Sequence, residues 1–548
     1  MIIKKAKLKG KTGAETVLVL ETDGAGVTTA DELYAAAAAG GVISLAPDAD
    51  ITVSQTLTFP EGTVILGNGA TIRRAAGFEG ILFFLSAGCR LENFVIEGNR
   101  SEMVSPKWDK TIEISTRANC VIDGITINNA NEGIIVYEDD VLVRGCKLYN
   151  CGGNGIHMSG ADRTRIENCV IIGANKNASQ MGHSDGCVIW SDECCDAVVE
   201  NCWCEDGAAG FGAIDHALNS NIKLIGNTVK DCANAVHGRF TTSAPHDLQI
   251  IGNHFIDSGR LRVAVNGTYP YTKGFVIANN IFDGTGIQIG GFRGAVVSGN
   301  TVRGDILRLD YCPCSAVADN IVENPAGIGV YLTGSPKTNV SGNNVRCKNY
   351  GVYAENSTGI MISGNIVRQS PHNVNADCFK LNDCPEAAID NNKLFVYYGG
   401  GITAGSNCRT MGNFIVVADS SQIAIRVWGG NSGYIVAQNM SNGTYGIAAG
   451  TDAAVQNNIT MTSTAFVDVV YMLTNLTTDG FAKALTDDDF EFTLTAASGY
   501  TLPDTITVTM GGAALAAGTG YAYDKATGKV TVYRVSGAVK ITAGGVTT

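Results

Sequence analysis

The sequence predicts an all-β solenoid, a continuous coil of short parallel strands stacked turn upon turn. Three observations lead to this prediction: a short motif recurs, each unit carries runs that alternate apolar and polar residues, and no helical stretch separates those runs. Two or three strands per unit without a helix between them do not suit a βαβ sheet or a hairpin meander. They suit a coil in which one full turn is the crossover between neighbouring parallel strands.

The recurring element is an asparagine that usually follows Gly, Glu or Asp and precedes a short apolar segment. Its first and last copies, at positions 168 and 457, are twelve steps and 289 residues apart, so the mean step is about 24 residues, within the range of solenoid repeats. Stacked amides at one corner can hydrogen-bond to one another and to turn backbone, and a neighbouring Gly permits the positive φ of a tight corner. We therefore predict a ladder formed by Asn168, Asn201, Asn227, Asn253, Asn280, Asn300, Asn320, Asn343, Asn365, Asn391, Asn413, Asn439 and Asn457.

Within each unit the pattern has a period of two residues. The asparagine is followed by a variable residue and then by an apolar one, and a second alternating run such as "GVYLT" or "GVYAE" comes several residues later. Such alternation indicates strands with one buried face. The predicted buried residues of the first run include Val229, Phe255, Phe282, Val302, Val322, Val345 and Val367.

The N-terminal segment "TTADELYAAAAAGGVISLAPDADITVSQTLTF" adds a short amphipathic stretch, about Ala30 to Ala39, before Gly-Gly and the first strands. Together with the repeat, it resembles the right-handed parallel β-helix family that includes pectate lyases, polygalacturonases and phage tailspikes. The resemblance covers about residues 25 to 470. It implies a right-handed parallel β-helix whose N-terminal helix caps the open end of the core.

Two segments lie outside the predicted solenoid. Residues 1–24 form a strand-like leader or attachment segment, and residues 25–472 form the β-helix. From about Leu473 the composition changes to four or five predicted antiparallel strands, with turns at Ser498-Gly499 and Thr527-Gly528. Residues 473–548 are therefore predicted to form a small β-sandwich, which resembles the immunoglobulin-like modules of phage structural proteins and Gram-positive surface proteins.

Charge and composition exclude several classes of function. The net charge of −13 argues against a nucleic-acid partner, and no apolar run approaches the roughly 18 residues of a membrane span. The N-terminus lacks the apolar region of a secretory signal, so synthesis in a cytoplasm is expected. The 17 cysteines have no paired C-x-x-C spacing and are predicted to be buried thiols, with a metal site or disulfide framework as the alternatives. No cofactor and no metal site are predicted.

The second run of each unit presents an outward column of side chains. This column is rich in Tyr, Trp, His and Arg, which stack on sugar rings or bind hydroxyls and carboxylates. Coils about 4.8 Å apart would make a long platform that suits a linear polymer; an ordinary mixed surface is the alternative. The column contains His157, Val188, His237, Ala264, Gln288, Arg308, Tyr331, Tyr353, Lys380 and Arg426, and two residues later Trp190, Arg239, Asn266, Asp310, Thr333, Glu355, Asn382 and Trp428.

Extensions between repeats are candidate binding loops, since loops on a rigid scaffold commonly carry function. They lie at about 101–111, 174–184, 241–247 and 268–274, and we expect them to wall a cleft over the coils of His157, Asp185, His237 and Arg239. The predicted binding residues are Trp108, His157, His183, Trp190, His216, Asn266, Tyr269, Tyr271, Arg308, Tyr331 and Tyr353.

Catalytic candidates come from a partial likeness to polygalacturonases. His183-Ser184-Asp185-Gly186 looks like their Asn-Thr-Asp-Gly motif, and Val236-His237-Gly238 is similar to their Gly-His-Gly. Asp215 stands alone where they carry an Asp pair, and Arg239 is the nearest substitute for their Arg-Ile-Lys. The missing carboxylate removes the proton donor or the base that inverting hydrolysis needs. A lyase route would instead use His237 as the base, with Arg239 neutralising a uronate.

Three functions remain open at this point. The first, which the resemblance favours, is a phage or prophage tailspike- or tail-fibre-like virion protein that binds a host cell-surface polysaccharide, with cleavage left open. The second is a bacterial polysaccharide lyase or glycoside hydrolase, and the third is a non-catalytic adhesin or scaffold. The resemblance also implies a homotrimer and attachment to other phage tail or particle proteins through the N-terminal segment. The expected location is the virion, with the bacterial cell surface as the alternative.

Overall fold

The computed structural model describes residues 6–8, 18–20, 26–102, 112–174, 188–214, 220–240, 247–265, 274–370, 376–427, 433–447, 453–461 and 465–547. They fall into two compact units, Met1–Val276 and Ile277–Thr548. Both units contain coils of three short strands, which we call the first, second and third rows in chain order. Within each unit, the described strands of a row pair in parallel with those of the next coil, as Val143↔Ile166 and Val317↔Val340 illustrate.

A single α-helix, Ala30–Ala39, precedes the first coil among the described residues. Thr29 caps it: the Thr29 hydroxyl accepts from the backbone N–H of Glu32, and the Glu32 carboxylate accepts in return from the N–H of Thr29. Gly40 ends the helix with a φ of 71°. The helix buries Leu33 and Ala37, and its bounds confirm the helix that the sequence predicts.

Each row of the first unit contains nine strands among the described residues. The first-row strands are Val42–Ser44, Val64–Leu66, Arg90–Glu92, Val121–Asp123, Leu142–Arg144, Arg165–Glu167, Val198–Glu200, Lys223–Ile225 and Gln249–Ile251. The second-row strands are Asp50–Val53, Thr71–Arg74, Val95–Glu97, Thr126–Asn128, Lys147–Tyr149, Val170–Ile172, Trp203–Glu205, Thr228–Lys230 and His254–Ile256. The third-row strands are Leu57–Phe59, Phe83–Leu85, Ile112–Thr116, Glu132–Val136, Ile156–Ser159, Ile189–Asp192, Phe211–Ile214, Val236–Phe240 and Leu261–Val265. The chain also contains the paired strands Ala6–Leu8 and Leu18–Leu20 and a 3-10 helix, Arg100–Glu102.

The second unit repeats this arrangement. Its first-row strands begin with Val276–Ala278 and continue with Val296–Ser298, Ala316–Ala318, Asn339–Ser341, Met361–Ser363, Ala388–Asp390, Arg409–Met411, Tyr434–Ala437 and Ala453–Gln456. Its second-row strands are Ile281–Asp283, Thr301–Arg303, Ile321–Asn324, Asn344–Cys347, Ile366–Gln369, Lys393–Val396, Phe414–Val417, Met440–Ser441 and Ile459–Thr460. Its third-row strands are Ile287–Gly290, Leu307–Asp310, Val330–Thr333, Val352–Glu355, Phe379–Asn382, Ile402–Ala404, Ile423–Val427 and Thr444–Ile447.

The interior of the coils is apolar because alternate residues of each strand point inward. The predicted inward residues are buried, among them Val229, Phe255, Val302 and Val367. The parallel pairing and this burial confirm the predicted fold class, a parallel β-helix.

The asparagine ladder exists and is continuous in the second unit. The Asn320 side chain shows the repeating pattern: its Nδ2 donates to the Val297 carbonyl and to Asn343 Oδ1, both at 2.9 Å, and its Oδ1 accepts from the backbone N–H and Nδ2 of Asn300. Every amide therefore donates toward one end of the column and accepts from the other. The ladder members in this unit are Asn280, Asn300, Asn320, Asn343, Asn365, Asn392, Asn413, Asn439 and Asn458.

Four of the predicted ladder positions are wrong. Asn168, Asn201, Asn391 and Asn457 are exposed and have positive φ angles, between 52° and 57°. They occupy the corner position just before the ladder, where most coils carry a positive-φ residue such as Gly299 or Gly342. After Asn168 and Asn201 the ladder position holds Cys169 and Cys202. After Asn391 and Asn457 it holds Asn392 and Asn458.

In the first unit, cysteines take the position that corresponds to the ladder asparagine. Cys146, Cys169 and Cys202 occupy the place of the ladder asparagine, and the Cys202 backbone N–H donates to Asn227 Oδ1 at 2.9 Å. The Cys169 thiol contacts the Val143 carbonyl at 3.8 Å, the equivalent of the acceptor that a ladder amide uses. Of the sixteen described cysteines, all free thiols, only Cys195 and Cys314 are not buried. The prediction of buried thiols is confirmed for the other fourteen described cysteines.

The C-terminal residues form two small facing sheets. One contains Lys483–Leu485, Phe466–Thr474, Val539–Gly544, Thr507–Met510 and Ala513–Ala514, and the other contains Leu476–Thr478, Phe490–Ala496, Lys529–Val532 and Tyr521–Tyr523. A further pair is formed by Tyr500–Thr501 and Val546–Thr547. Their shared core includes Phe490, Phe492 and Ile541. The strands that the sequence predicts from about Leu473 onward pair antiparallel, whereas Phe466–Thr474, which begins before that segment, pairs in parallel with Val539–Gly544. The domain boundaries and the immunoglobulin-like character stay predictions.

This C-terminal module packs against coils of its own unit. The Leu485 N–H donates to the Tyr397 hydroxyl at 2.7 Å, and the Tyr397 ring meets Phe466 and Phe481 edge-on. Arg346 adds a contact with the Asp488 carboxylate and with the carbonyl of Asp489. The module is therefore fixed to the side of the coils through a buried tyrosine and an arginine.

Candidate functional site

The third row of the second unit carries a continuous outward column of large polar side chains. Strand register places Arg308 beside Tyr331, Tyr331 beside Tyr353, and Tyr353 beside Lys380 on successive coils. All four side chains are half-buried. We call this surface the tyrosine face and define it by Gln288, Arg308, Asp310, Tyr331, Thr333, Tyr350, Tyr353, Glu355, Lys380 and Asn382.

Ring stacking holds the centre of the tyrosine face. The rings of Tyr331 and Tyr353 stack with centroids 5.2 Å apart, and Tyr350 stacks on Tyr353 at 5.1 Å. The Arg308 guanidinium lies 4.7 Å from the centroid of Tyr331, and the Lys380 ammonium lies 5.5 Å from that of Tyr350. A cation at each end of a stacked aromatic run is a favourable arrangement, because the ring faces carry negative charge.

One carboxylate orients the tyrosines. Glu355 accepts hydrogen bonds from the hydroxyls of Tyr331, Thr333 and Tyr353, the last two at 3.3 Å. The Tyr353 hydroxyl accepts in turn from Asn382 Nδ2 at 2.9 Å. Burial, with help from the hydrogen bond to Glu355, raises the pKa of Tyr331 to about 12, and burial also raises the pKa of Tyr353. Both phenols therefore stay protonated at neutral pH and donate to Glu355.

A second carboxylate fixes the cation at the start of the column. Arg308 Nε donates to both oxygens of Asp310, at 2.8 and 2.9 Å, and Gln288 Nε2 donates to Asp310 Oδ2 at 3.1 Å. The Asp310 side chain is 16% exposed and that of Arg308 is 33% exposed. Asp310 thus holds the Arg308 guanidinium over the Tyr331 ring. The face is pre-organised, since its aromatic groups and cations are held by neighbouring carboxylates.

The first unit carries the other described candidates. His157 pairs in register with Trp190, and their rings meet edge-on with centroids 6.1 Å apart. His237 lies in the same column two coils further on, because Gly212 separates it from Trp190. All three side chains are half-buried. The structure therefore brings His157 and Trp190 into contact, whereas His237 lies two coils from Trp190 and three coils from His157.

Register differs from the expectation at two positions of this column. Val188 is fully buried, and Trp190 instead stands beside His157. Ala264 pairs with Arg239, so the place next to His237 belongs to Arg262. Both shifts follow long connections, after which the strand register cannot be predicted by counting residues along the sequence.

Most of the predicted loop residues lie outside the described residues. This holds for Trp108, His183, Asp185, Asp215, His216, Asn266, Tyr269 and Tyr271, and for the side chain of Arg239, whose backbone belongs to the strand Val236–Phe240. Their proposed roles in catalysis and binding stay predictions.

Two polar residues near this surface, Tyr350 of the tyrosine face and the buried Asp377, are not among the candidates from the sequence. Tyr350 precedes the strand, outside the alternating pattern, yet its ring stacks on Tyr353. Asp377 is 6% exposed and accepts a hydrogen bond from Thr403 Oγ1 at 2.8 Å. The only sequence signal for Tyr350 is its position three residues before the outward Tyr353. The sequence gives no signal for Asp377.

The described part of the chain lacks two structural features. No group of three or more His, Cys, Asp and Glu side chains in it is arranged to hold a metal ion. Within the same residues, no helix has the length and apolar character needed to span a bilayer.

Comparison with protein families identifies the class of fold. Residues 79–255 match the family described as right handed beta helix region, and residues 262–394 match the family described as periplasmic copper-binding protein (NosD). The chain therefore contains a right-handed β-helix region, which confirms the resemblance drawn from the repeat. No curated protein matches the sequence.

Several solved structures are similar to this chain at low identity. A mutant tailspike protein of E. coli bacteriophage HK620, in complex with a pentasaccharide, is 13% identical over 98% of this chain and 96% of its own, with a TM-score of 0.40. The Streptococcus pneumoniae surface protein and adhesin PfbA is 16% identical over 64% of this chain and 94% of its own, with a TM-score of 0.39. The pre-mature bacteriophage phi29 gene product 12 is 14% identical over 94% of this chain and 82% of its own, with a TM-score of 0.44.

Proposed function

We propose that the protein is a tailspike- or tail-fibre-like virion protein that binds a bacterial cell-surface polysaccharide along the tyrosine face. The observation that carries this proposal is the stacked run of Tyr331, Tyr353 and Tyr350 between Arg308 and Lys380. An ordinary solvated strand face does not stack three half-buried phenols and orient two of them, Tyr331 and Tyr353, through a shared carboxylate.

The geometry of the face suits an extended chain of sugars. Its side chains come from five successive coils, about 4.8 Å apart, so the surface extends along the stacking direction of the strands. Aromatic ring faces pack against the apolar faces of pyranose rings, and the rim supplies Asn382, Thr333 and Gln288 to bind hydroxyls. A small metabolite would instead require a concave site that encloses it.

Binding is tested with the full chain and a panel of capsular and O-antigen polysaccharides in affinity electrophoresis. Tyr331→Ala and Tyr353→Ala are each expected to weaken binding by about 30-fold, since loss of a central aromatic contact costs roughly 2 kcal/mol. Tyr149→Ala is the matched control, because Tyr149 is a half-exposed tyrosine of the second row. Unchanged retardation in both face variants, for a polysaccharide that the unmodified chain binds, would refute the proposal.

Cleavage of the bound polysaccharide stays a prediction that the same material can test. Release of reducing ends would indicate hydrolysis, and absorbance near 235 nm would indicate an unsaturated uronate from a lyase. If turnover is measured, Asp185→Asn and His237→Ala should abolish it. A chain that binds without either signal is a binding protein. Trimer formation and attachment through residues 1–24 belong to the same proposal and rest on the sequence resemblance; light scattering of the full chain tests the first.

A further inference from the structure

The outward column of the tyrosine face continues beyond Lys380. Register places Thr403 beside Lys380 and Arg426 beside Thr403. Thr403 is 3% exposed, whereas the Arg426 side chain is 28% exposed. Arg426 lines a pocket of about 790 Å³ between these coils and the C-terminal module. We call it the junction pocket and define it by Tyr397, Tyr398, Asp419, Ser421, Gln422, Arg426, Phe481 and Lys483.

One side of the junction pocket is aromatic. The Tyr398 ring meets Phe481 edge-on with centroids 6.4 Å apart, and Tyr397 meets the same ring at 5.6 Å. Tyr397 is buried and accepts the hydrogen bond from Leu485 that holds the module in place, while Tyr398 is 37% exposed. The pocket therefore has a rigid apolar wall with an accessible ring.

The other side carries two cations. Arg426 Nη1 lies 3.8 Å from Asp377 Oδ1, and the other oxygen of this buried carboxylate accepts from the Thr403 hydroxyl at 2.8 Å. Asp377 therefore anchors Arg426 from beneath. Lys483 Nζ lies 2.9 Å from Asp468 Oδ1, but the Asp468 side chain is 72% exposed, so this surface pair is weak.

The carboxylate among the lining residues is engaged by its own loop. Asp419 Oδ1 accepts from the Ser421 N–H at 2.9 Å, and this backbone hydrogen bond lowers the pKa of Asp419. The Asp419 N–H donates to Gln422 Oε1, and Gln422 Nε2 donates to the Tyr397 carbonyl at 3.3 Å. The loop is thus tied to the aromatic wall, and the cations face the pocket from the coil and from the module.

We infer that the junction pocket binds an acidic sugar residue, a hexuronic acid or a comparable ring with a carboxylate, of the polysaccharide that lies on the tyrosine face. This inference rests on the proposed function. Arg426 and Lys483 bind the carboxylate, and the sugar ring packs against Tyr398 and Phe481. The pocket volume falls within the range of small-ligand sites, about 300 to 1,000 Å³. The C-terminal module thereby takes part in selecting the polysaccharide, because it supplies Phe481 and Lys483.

Matched acidic and neutral sugars test the inference on the full chain. We would measure saturation-transfer NMR with D-glucuronate, D-galacturonate and N-acetylneuraminate against D-glucose, D-galactose and N-acetylglucosamine. At least one acid is expected to bind ten-fold or more tightly than its neutral counterpart, and Arg426→Gln and Lys483→Gln should remove this preference. Lys525→Gln is the matched control, since Lys525 is an exposed module lysine paired with Asp504. Equal binding of all acids and neutral sugars, or an acid preference that survives Arg426→Gln, overturns the inference.

Two further variants separate this inference from the proposed function. Asp377→Asn removes the charge that anchors Arg426 and should weaken acid binding while the variant melts at a temperature near that of the unmodified chain. Tyr353→Ala should weaken polysaccharide binding yet leave the binding of single acidic sugars intact. Polysaccharide binding that needs Tyr353, without any acid preference at the pocket, would overturn the junction-pocket inference and leave the tyrosine face standing. Acid binding that needs Arg426, with polysaccharide binding unaffected by Tyr353→Ala, would refute the face instead.

Discussion

Two adjacent asparagines allow a strict test of the ladder. Asn392 is fully buried; its Nδ2 donates to the Ile362 carbonyl at 2.9 Å, and its Oδ1 accepts from the backbone N–H and Nδ2 of Asn365, each at 2.9 Å. Asn392→Ala leaves the Asn365 N–H buried without an acceptor, which costs about 1–3 kcal/mol. It also removes three further hydrogen bonds of about 0.5–1.5 kcal/mol each: the two that Asn392 Nδ2 donates to Ile362 and Asn413, and the one that Asn392 Oδ1 accepts from Asn365 Nδ2. The expected loss in free energy of unfolding is therefore about 2.5–7.5 kcal/mol.

Asn391→Gly is the matched control. Asn391 is exposed and has a φ of 57°, which Gly adopts without strain, so the expected change stays within about 0.5 kcal/mol. Hydrogen exchange of the Asn365 amide gives the local readout, because this N–H loses its acceptor only in the first variant. We expect its exchange to accelerate about 30-fold or more in Asn392→Ala, the factor that corresponds to about 2 kcal/mol. Equal destabilisation by both variants, or an unchanged Asn365 amide, would refute the ladder as the source of stability.

Three other predictions follow from buried polar groups. Burial raises the pKa of Glu132 from 4.5 to about 8. The stability that protonated Glu132 contributes is therefore complete below pH 4.5 and is lost as the pH rises through 8, a loss on the order of 5 kcal/mol. Glu132→Gln should flatten this pH dependence of the free energy of unfolding in urea titrations across pH 4.5–8. Tyr397→Phe leaves the Leu485 N–H unpaired and should destabilise the module by about 1–3 kcal/mol, seen as faster exchange at Leu485. Tyr331→Phe keeps the stacked ring but loses the bond to Glu355, and should weaken polysaccharide binding less than Tyr331→Ala does.

The fold was predictable because the same spatial constraint recurs in every coil. Inward positions must be apolar and corners must turn, so alternation and the periodic asparagine suffice to indicate parallel strands. The exact ladder members were harder to predict. Where two asparagines are adjacent, as at positions 391 and 392, the sequence does not say which one points inward. Where Cys169 or Cys202 replaces the amide, the motif selects the exposed asparagine before it.

The candidate site was predictable only where the coils have regular lengths. Arg308, Tyr331 and Tyr353 follow their ladder asparagines by 8, 11 and 10 residues, without a long insertion, and the structure places them side by side. Long connections displaced the expected register near Val188 and Ala264. The junction pocket depends on contacts between Tyr397 and Phe481, which lie far apart in the chain, and no local pattern encodes such a contact.

The direction of the amide column has a consequence for how such a chain can change in length. The backbone N–H and Nδ2 of Asn343 both donate to Asn365 Oδ1, and Asn343 Oδ1 accepts from the same two groups of Asn320. Each ladder coil of the second unit therefore offers donors on one side and an acceptor on the other. Deletion or duplication of a whole coil would again place ladder donors next to a ladder acceptor, while a gain or loss of a few residues would leave one buried amide without its partner. The ladder can therefore lengthen or shorten by one coil at a time, and the length of the surface that it supports changes by the same step.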